Sequence, residues 1–479
     1  MRKYDFVVVG GASLGMAIAY RLADRLNASI AVIDYQTGGA ASRAAGAMLG
    51  CFGEVTKYTF AHQATREKFN LMYAAHQAWP KWMEELEQAS GEKIWHTPGT
   101  HVILNSQGGV LDEENYEAVI SALKKYDEPY EEINPRSIEA LDAAAAARPL
   151  RAMYIGEGAV NSHQYLSVLK KACEKKNIDF IDGNVTKVKR TDDVYLFEGD
   201  FEQLQSQNTV LAAGSYTGDL IKNSGLGIDV MPILAGVGFA MVTETRGSAF
   251  KHAIRTANRS GSCGLHLVPF GKDREYIGAT NVLYTSPQHE AFTGMVKFLS
   301  QCAVEQLKRS IFWSTIKEYR VGNRPVALDT LPLIGKTSFE GLFIATGTYR
   351  DGFHCSPVIA DSIAAEVQDK KPLVSSTFRP ERKPIQTQTQ EESIREYALQ
   401  SLSGSYELWL SLPGTMDDSD LIQMFEAKAR KIYAALETRF ALNTDILFCL
   451  SMPLLPENGI SSLRDYLQTV QSIPSKATV

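Results

Sequence analysis

The sequence predicts a mixed fold: a Rossmann-like α/β nucleotide domain, a sheet-based α+β domain interleaved with it, and a small C-terminal extension. Three observations predict this. A strand, a glycine turn and a helix open the chain, the pattern of a dinucleotide-binding unit. Strand and helix patterns alternate to about residue 225 and then give way to a strand-rich block, before a last strand and helix return near 340–367. At 479 residues the chain also exceeds the size at which a single hydrophobic core stops growing.

Each element has a local reason. Residues 6–9 are a short β-branched run, 12–26 keep apolar residues at helical spacing, and 29–33 are again strand-like, ending at Asp34; together they make a βαβ unit. Residues 61–90 read as a long helix whose Trp79 and Trp82 are core or interface anchors. Strand patterns follow at 101–104, 180–181, 185–188 and 209–213, and helical ones at 112–126 and 164–175. Between 229 and 284 the pattern is strand after strand. The expected division is 1–85, 151–225 and 325–382 for the nucleotide domain, with 86–150 and 226–324 for the substrate domain. The polar stretch 383–390 reads as a linker, and 391–479 as an extension with helices at 418–437 and 461–470 and a strand at 445–450.

The bulk chemistry excludes several classes. A net charge of −6 leaves no basic footprint for nucleic acid. The longest apolar run, 230–242, contains Pro232, Gly236 and Gly238 and is too short to span a membrane. The six cysteines form no CxxC pair, which fits a reduced compartment and offers no metal site. A cytoplasmic protein that assembles with copies of itself is the expectation.

The turn Gly10-Gly11-Ala12-Ser13-Leu14-Gly15 keeps the first and third glycines of G-x-G-x-x-G, with Ala12 in the middle position. Asp34, at the end of the second strand, is placed to take ribose hydroxyls. Three further stretches favour a flavin over a nicotinamide. Residues 39–50 are a small-residue run with Ser42 and Arg43, suited to backbone passing close to a flat cofactor. Residues 209–218 read as a buried strand ending in Ala213-Gly214. In 324–367, Ser356 reads as an N-cap and Pro357 as the first helical residue, so 352–356 would present a positive helix end to a reduced flavin.

From about residue 4 to residue 382 the chain resembles the FAD-dependent D-amino-acid oxidase superfamily, and within it glycine oxidase. The resemblance implies an FAD-binding domain of the glutathione-reductase-like kind, in non-contiguous pieces, with FAD bound non-covalently. It implies FAD contacts at Ser13, Leu14, Asp34, Tyr35, Ala41, Ser42, Gly46, Ala47, Met48, Val185 and across Thr348, Tyr349, Arg350, Asp351, Gly352, Phe353 and His354. Arg324 and Arg350 are implied as the pair that takes a substrate carboxylate, a task to which guanidinium forks are suited. The implied reaction is hydride transfer from the Cα of a small amino acid or amine to the flavin, imine hydrolysis, and reoxidation by dioxygen to hydrogen peroxide.

The chain also departs from the family. His266 stands where relatives usually carry a tyrosine that reaches the substrate, and Phe270 where they carry an arginine. It is read either as substrate-facing or as a core histidine. Gly46-Ala47 inverts the usual order. Cys51 and Cys355 read as small buried residues, and Glu54 as a solvated glutamate. The extension has no counterpart in a typical member and is a candidate contact for a protein partner. Three rival readings remain: a dehydrogenase with a non-oxygen acceptor, acting on a modified or carrier-bound amino acid; a non-catalytic flavoprotein subunit; and an NAD-dependent dehydrogenase, against which residues 324–357 argue.

Overall fold

Phe6–Val9 is buried on both faces, as expected for a strand inside a parallel sheet covered by helices. In the computed structural model, which describes residues 1–35, 39–259, 264–408, 410–452 and 457–471, the strand Arg2–Val9 lies between Ile30–Asp34 and Leu204–Leu211, parallel to both. Asp179–Asp182 and Leu342–Thr346 extend this first sheet in parallel, and Val185–Thr191 and Val194–Gly199 close one edge antiparallel. Three helices, Ser13–Arg25, Gln63–Ser90 and Gly352–Val367, share one core on its face. Trp79 and Trp82 are both buried there.

Among the described residues, a second sheet of ten strands stands beside the first. Its spine is the long antiparallel pair Ile233–Glu244 and Ile316–Ala327, whose register sets Gly236 opposite Arg324 and Gly238 opposite Gly322. The strand Pro149–Ile155 pairs with Thr100–Asn105 in this second sheet, so the domain boundary expected at 150/151 falls inside a strand. The boundary at 324/325 does the same, because Ile316–Ala327 is continuous through it.

The C-terminal extension is helical among its described residues: Gln390–Glu407, Asp418–Leu436, Thr444–Ser451 and Glu457–Gln471. The strand expected at 445–450 is a helix, capped by Asn443, whose side chain accepts from the Asp445 amide. A short continuous apolar run fits a buried helix as well as a strand, and the cap decided for the helix. The helix Gln390–Glu407 had no strong periodic signal and was missed; its capping box, Thr389 with Glu392, is the cue that marks its start.

The stretch 383–390 is pinned to the body. The Asp329 carboxylate accepts from the Ile385 amide and pairs with Arg382, and Gln386 accepts from the Ala441 amide. Beyond it the extension packs onto the second sheet: Ile446, Leu447 and Cys449 join Leu283, Val326 and Leu328 in one apolar cluster that also holds Tyr349.

Candidate active site

One cavity of about 590 Å³ runs from the first glycine turn to the spine of the second sheet. At its first end the turn is tight for physical reasons. A Cβ on Gly10, whose φ is +114°, would sit 2.3 Å from the Ala212 carbonyl oxygen, and one on Gly15 would sit 1.9 Å from the Gly10 carbonyl oxygen. The Gly11 amide donates to the Asp34 carboxylate at 2.9 Å, and Arg43 pairs with the same carboxylate at 2.6 Å.

Of the residues singled out in the sequence for the cofactor, Gly10, Leu14, Asp34, Tyr35, Ala41, Ser42, Gly46, Ala47, Met48, Val185, Ala213, Gly214, Thr348, Tyr349, Arg350, Gly352 and Phe353 line this cavity. Six do not. Gly11 and Arg43 bond to the Asp34 carboxylate, Ser13 is buried, and Gly15 lies against the Gly10 carbonyl. Asp351 pairs with Lys68 at 2.8 Å, and the His354 ring turns to the Met72 carbonyl at 2.8 Å. The last two therefore shape the wall from outside it.

The helix expected to start at Pro357 behind an N-cap at Ser356 begins five residues earlier, at Gly352 after Asp351. Pro357 has no N–H for the carbonyl of Phe353, and the Ser356 hydroxyl donates to that carbonyl instead, at 2.9 Å. This local repair lets the helix run through the proline. Its first residues, Gly352 and Phe353, bring the positive end of the helix dipole to the cavity.

At the other end, Arg324, Arg350, Arg255, Glu54 and His266 converge on the cavity. The Arg324 guanidinium lies across Gly238, where a Cβ would come within 2.5 Å of Nη1. It donates to the Thr280 carbonyl and to Asn281 Oδ1, each at 3.2 Å. The Arg350 guanidinium stacks 4.9 Å above the Tyr349 ring and donates to Asn258 Oδ1 at 3.3 Å.

Glu54, expected to be solvated, sits between Arg255 at 2.8 Å and Arg350 at 3.7 Å. Burial alone would raise its carboxyl, but the charges of Arg255 and Arg350 outweigh burial and hold it down to about 2. Arg255, 3% exposed, was missed in the sequence; a lone arginine inside the strand Ala253–Thr256, among residues that are otherwise mostly apolar, was its signal.

His266 is buried and stacks on Tyr276, with ring centroids 5.9 Å apart. Burial pushes its imidazole down to about 4, so the ring is neutral near pH 7. Nδ1 lies 2.9 Å from the Gly264 carbonyl. A carbonyl only accepts, so Nδ1 carries the proton and Nε2 presents a lone pair. Nε2 lies beside Gly46 and Gly278, where a Cβ would come within 3.3 Å and 2.8 Å of it.

The arrangement is a cavity floored by small residues and glycine turns, ending in three guanidinium groups, two of which, Arg255 and Arg350, pair with the Glu54 carboxylate. Residues 5–366 match the family described as "FAD dependent oxidoreductase". The chain belongs to this family. It is an FAD-dependent oxidoreductase, and its glycine cradle and Asp34 fit the non-covalent cofactor. Cys51 and Cys355 are buried as core residues, and burial raises both thiols; Cys263 lies outside the described residues.

This FAD oxidoreductase is similar to glycine oxidase of Geobacillus kaustophilus, at 25% identity over 77% of this chain and 94% of that protein. It is similar to the bifunctional ThiO/ThiG protein of Trichormus variabilis, at 25% identity over 78% of this chain, and spans 54% of that relative's length. The crystal structure of the Geobacillus kaustophilus glycine oxidase shares the fold, with a TM-score of 0.67 at 22% identity over 80% of this chain and 100% of that one. The family match ends at residue 366, ahead of the extension. Among the described residues no helix is long and apolar enough to cross a membrane.

Proposed function

We propose that the chain oxidises the Cα–N bond of a small amino acid or related amine, with dioxygen as the final electron acceptor. The observation that carries this reading is the pairing of Arg324 and Arg350 at one end of the cofactor cavity, beside a neutral His266. Relatives named glycine oxidase support it.

The roles follow from the donors present. Arg324 and Arg350 take the substrate carboxylate by charged hydrogen bonds, which are stronger than neutral ones in a water-poor pocket. Glu54 holds Arg350 and Arg255 in place and balances part of their charge. His266 Nε2 accepts a hydrogen bond from the substrate amine, which orients the Cα–H bond. When bound, FAD would supply the acceptor for the hydride leaving Cα and the route by which two electrons reach dioxygen, giving hydrogen peroxide. The imine product then adds water and releases the oxo acid together with ammonia, or with the alkylamine where the substrate is an N-alkyl amino acid.

The test is a peroxide assay of the purified FAD-loaded protein with glycine, sarcosine, D- and L-alanine and N-ethylglycine. Peroxide matched by equal oxo acid supports the reading. Oxo acid formed only with an artificial electron acceptor would assign a dehydrogenase instead, and no turnover with any amine would remove the proposal.

A further inference from the structure

The C-terminal extension reaches the proposed substrate end through one buried carboxylate. Asp445 lies in the first turn of the helix Thr444–Ser451 and is 2% exposed. Its Oδ2 accepts from the Tyr349 hydroxyl at 2.7 Å, and its Oδ1 accepts from Asn281 Nδ2 at 3.4 Å. Asn281 Nδ2 also donates to the Tyr349 hydroxyl oxygen at 2.6 Å, while Asn281 Oδ1 accepts from Arg324 Nη1 at 3.2 Å. Tyr349 in turn lies under the Arg350 guanidinium.

We propose that Asp445 is a positioning residue for the substrate-carboxylate site, fixing Asn281 and Tyr349 so that Arg324 and Arg350 hold their places at the cavity. This rests on the reading that the two arginines take a carboxylate.

The polarity of the network supports it. A carboxylate only accepts, so the Tyr349 proton points at Asp445 and the Asn281 NH₂ faces both. That leaves Asn281 Oδ1, an acceptor, toward the guanidinium. The guanidinium and the carboxylate thus select the same amide orientation from opposite ends; without the carboxylate the guanidinium alone does so, because the opposite orientation sets NH₂ against it, donor to donor. Tyr349 has a positive φ of 51°, a conformation its packing has to hold.

A second contact from the extension reaches Arg350 through Arg259. Glu407 binds Arg259 through two hydrogen bonds, at 2.9 Å and 3.1 Å. The Arg259 carbonyl accepts from Arg350 Nη1 at 3.4 Å. The helix bearing Asp445 is itself anchored, with Cys449 Sγ 3.0 Å from the Leu283 carbonyl. The residues that set the substrate end are thus braced by a segment beyond the matched part of the chain.

The test uses the full-length FAD-loaded protein and acetate, a carboxylate without an amine, titrated while the visible flavin spectrum is followed. Asp445→Asn keeps the shape of the side chain and loses an acceptor; Tyr349→Phe keeps the ring under Arg350 and loses the hydroxyl. Each is expected to retain FAD and to raise the acetate Kd about 10-fold, with the double variant no weaker than about either single one, as for members of one network. A folded, FAD-loaded Asp445→Asn protein with an acetate Kd within about twofold of wild type overturns the proposal, even if its Tm falls. If Asp445→Asn fails to fold, an unchanged Kd in Tyr349→Phe overturns it equally, and a raised Kd supports it. Wild-type protein that binds FAD and ignores acetate refutes the carboxylate reading itself, and the proposal with it.

Discussion

At the scale of single residues, Glu54 shows how the arginine-lined end of the cavity keeps its charges in order. Held down to about 2 against an ordinary value of 4.5, it adds stability that is fully present above pH 4.5 and drains away as pH falls toward 2. Acid unfolding followed by circular dichroism should therefore lose part of its slope between pH 4.5 and 2 in Glu54→Gln, with lower stability at neutral pH because Arg255 and Arg350 lose their counter-charge; an unchanged acid slope would place the ion pairs in solvent. Arg324→Ala should raise the KM for an amino acid about 100-fold, the equivalent of the roughly 3 kcal/mol at the upper end for a charged hydrogen bond, while FAD stays bound. His266→Phe should raise the KM for amines and leave acetate binding unchanged, because only the amine uses the Nε2 lone pair; equal losses for both would assign His266 to the carboxylate or to packing. Arg324, Arg350 and His266 were legible because they sit in short motifs. Arg255 and Glu54 were not, since they are far apart in sequence and only the folded sheet makes an ion pair of them.

At the scale of elements, the glycine turn is the least forgiving part of the cofactor end. Gly15→Ala would press a methyl group to within 1.9 Å of the Gly10 carbonyl oxygen, so the purified variant should retain far less FAD than wild type, as read from the ratio of visible to protein absorbance. The βαβ unit, the long helix and the strand-rich block could be read from periodicity and turn residues, which are local signals. The start of Gly352–Val367 could not: Ser356 and Pro357 look like a helix entrance, and the deciding interaction is the Ser356 hydroxyl on the Phe353 carbonyl. The helix Thr444–Ser451 was hidden for a related reason, since its apolar run is short enough to suit either a strand or a helix.

At the scale of the whole molecule, the two sheets meet along the cavity and the extension packs against its arginine-lined end, bonding Tyr349 through Asp445. That packing was invisible in the sequence because each contact joins residues far apart in the chain, such as Asp445 with Tyr349, and nothing in either local pattern announces the other. A chain ending at residue 382 would uncover Leu283, Val326 and Leu328 and leave Tyr349 without its carboxylate partner. Such a truncation should express as aggregated protein or, if soluble, lose affinity for acetate, as judged by size-exclusion chromatography and the flavin titration. The proposed oxidation of an amine by bound FAD is decided by an anaerobic titration of the yellow full-length protein with small amino acids and N-alkyl glycines: at least one of them should bleach the flavin band, with readmitted dioxygen restoring it, and a flavin that none of them bleaches would refute the proposal.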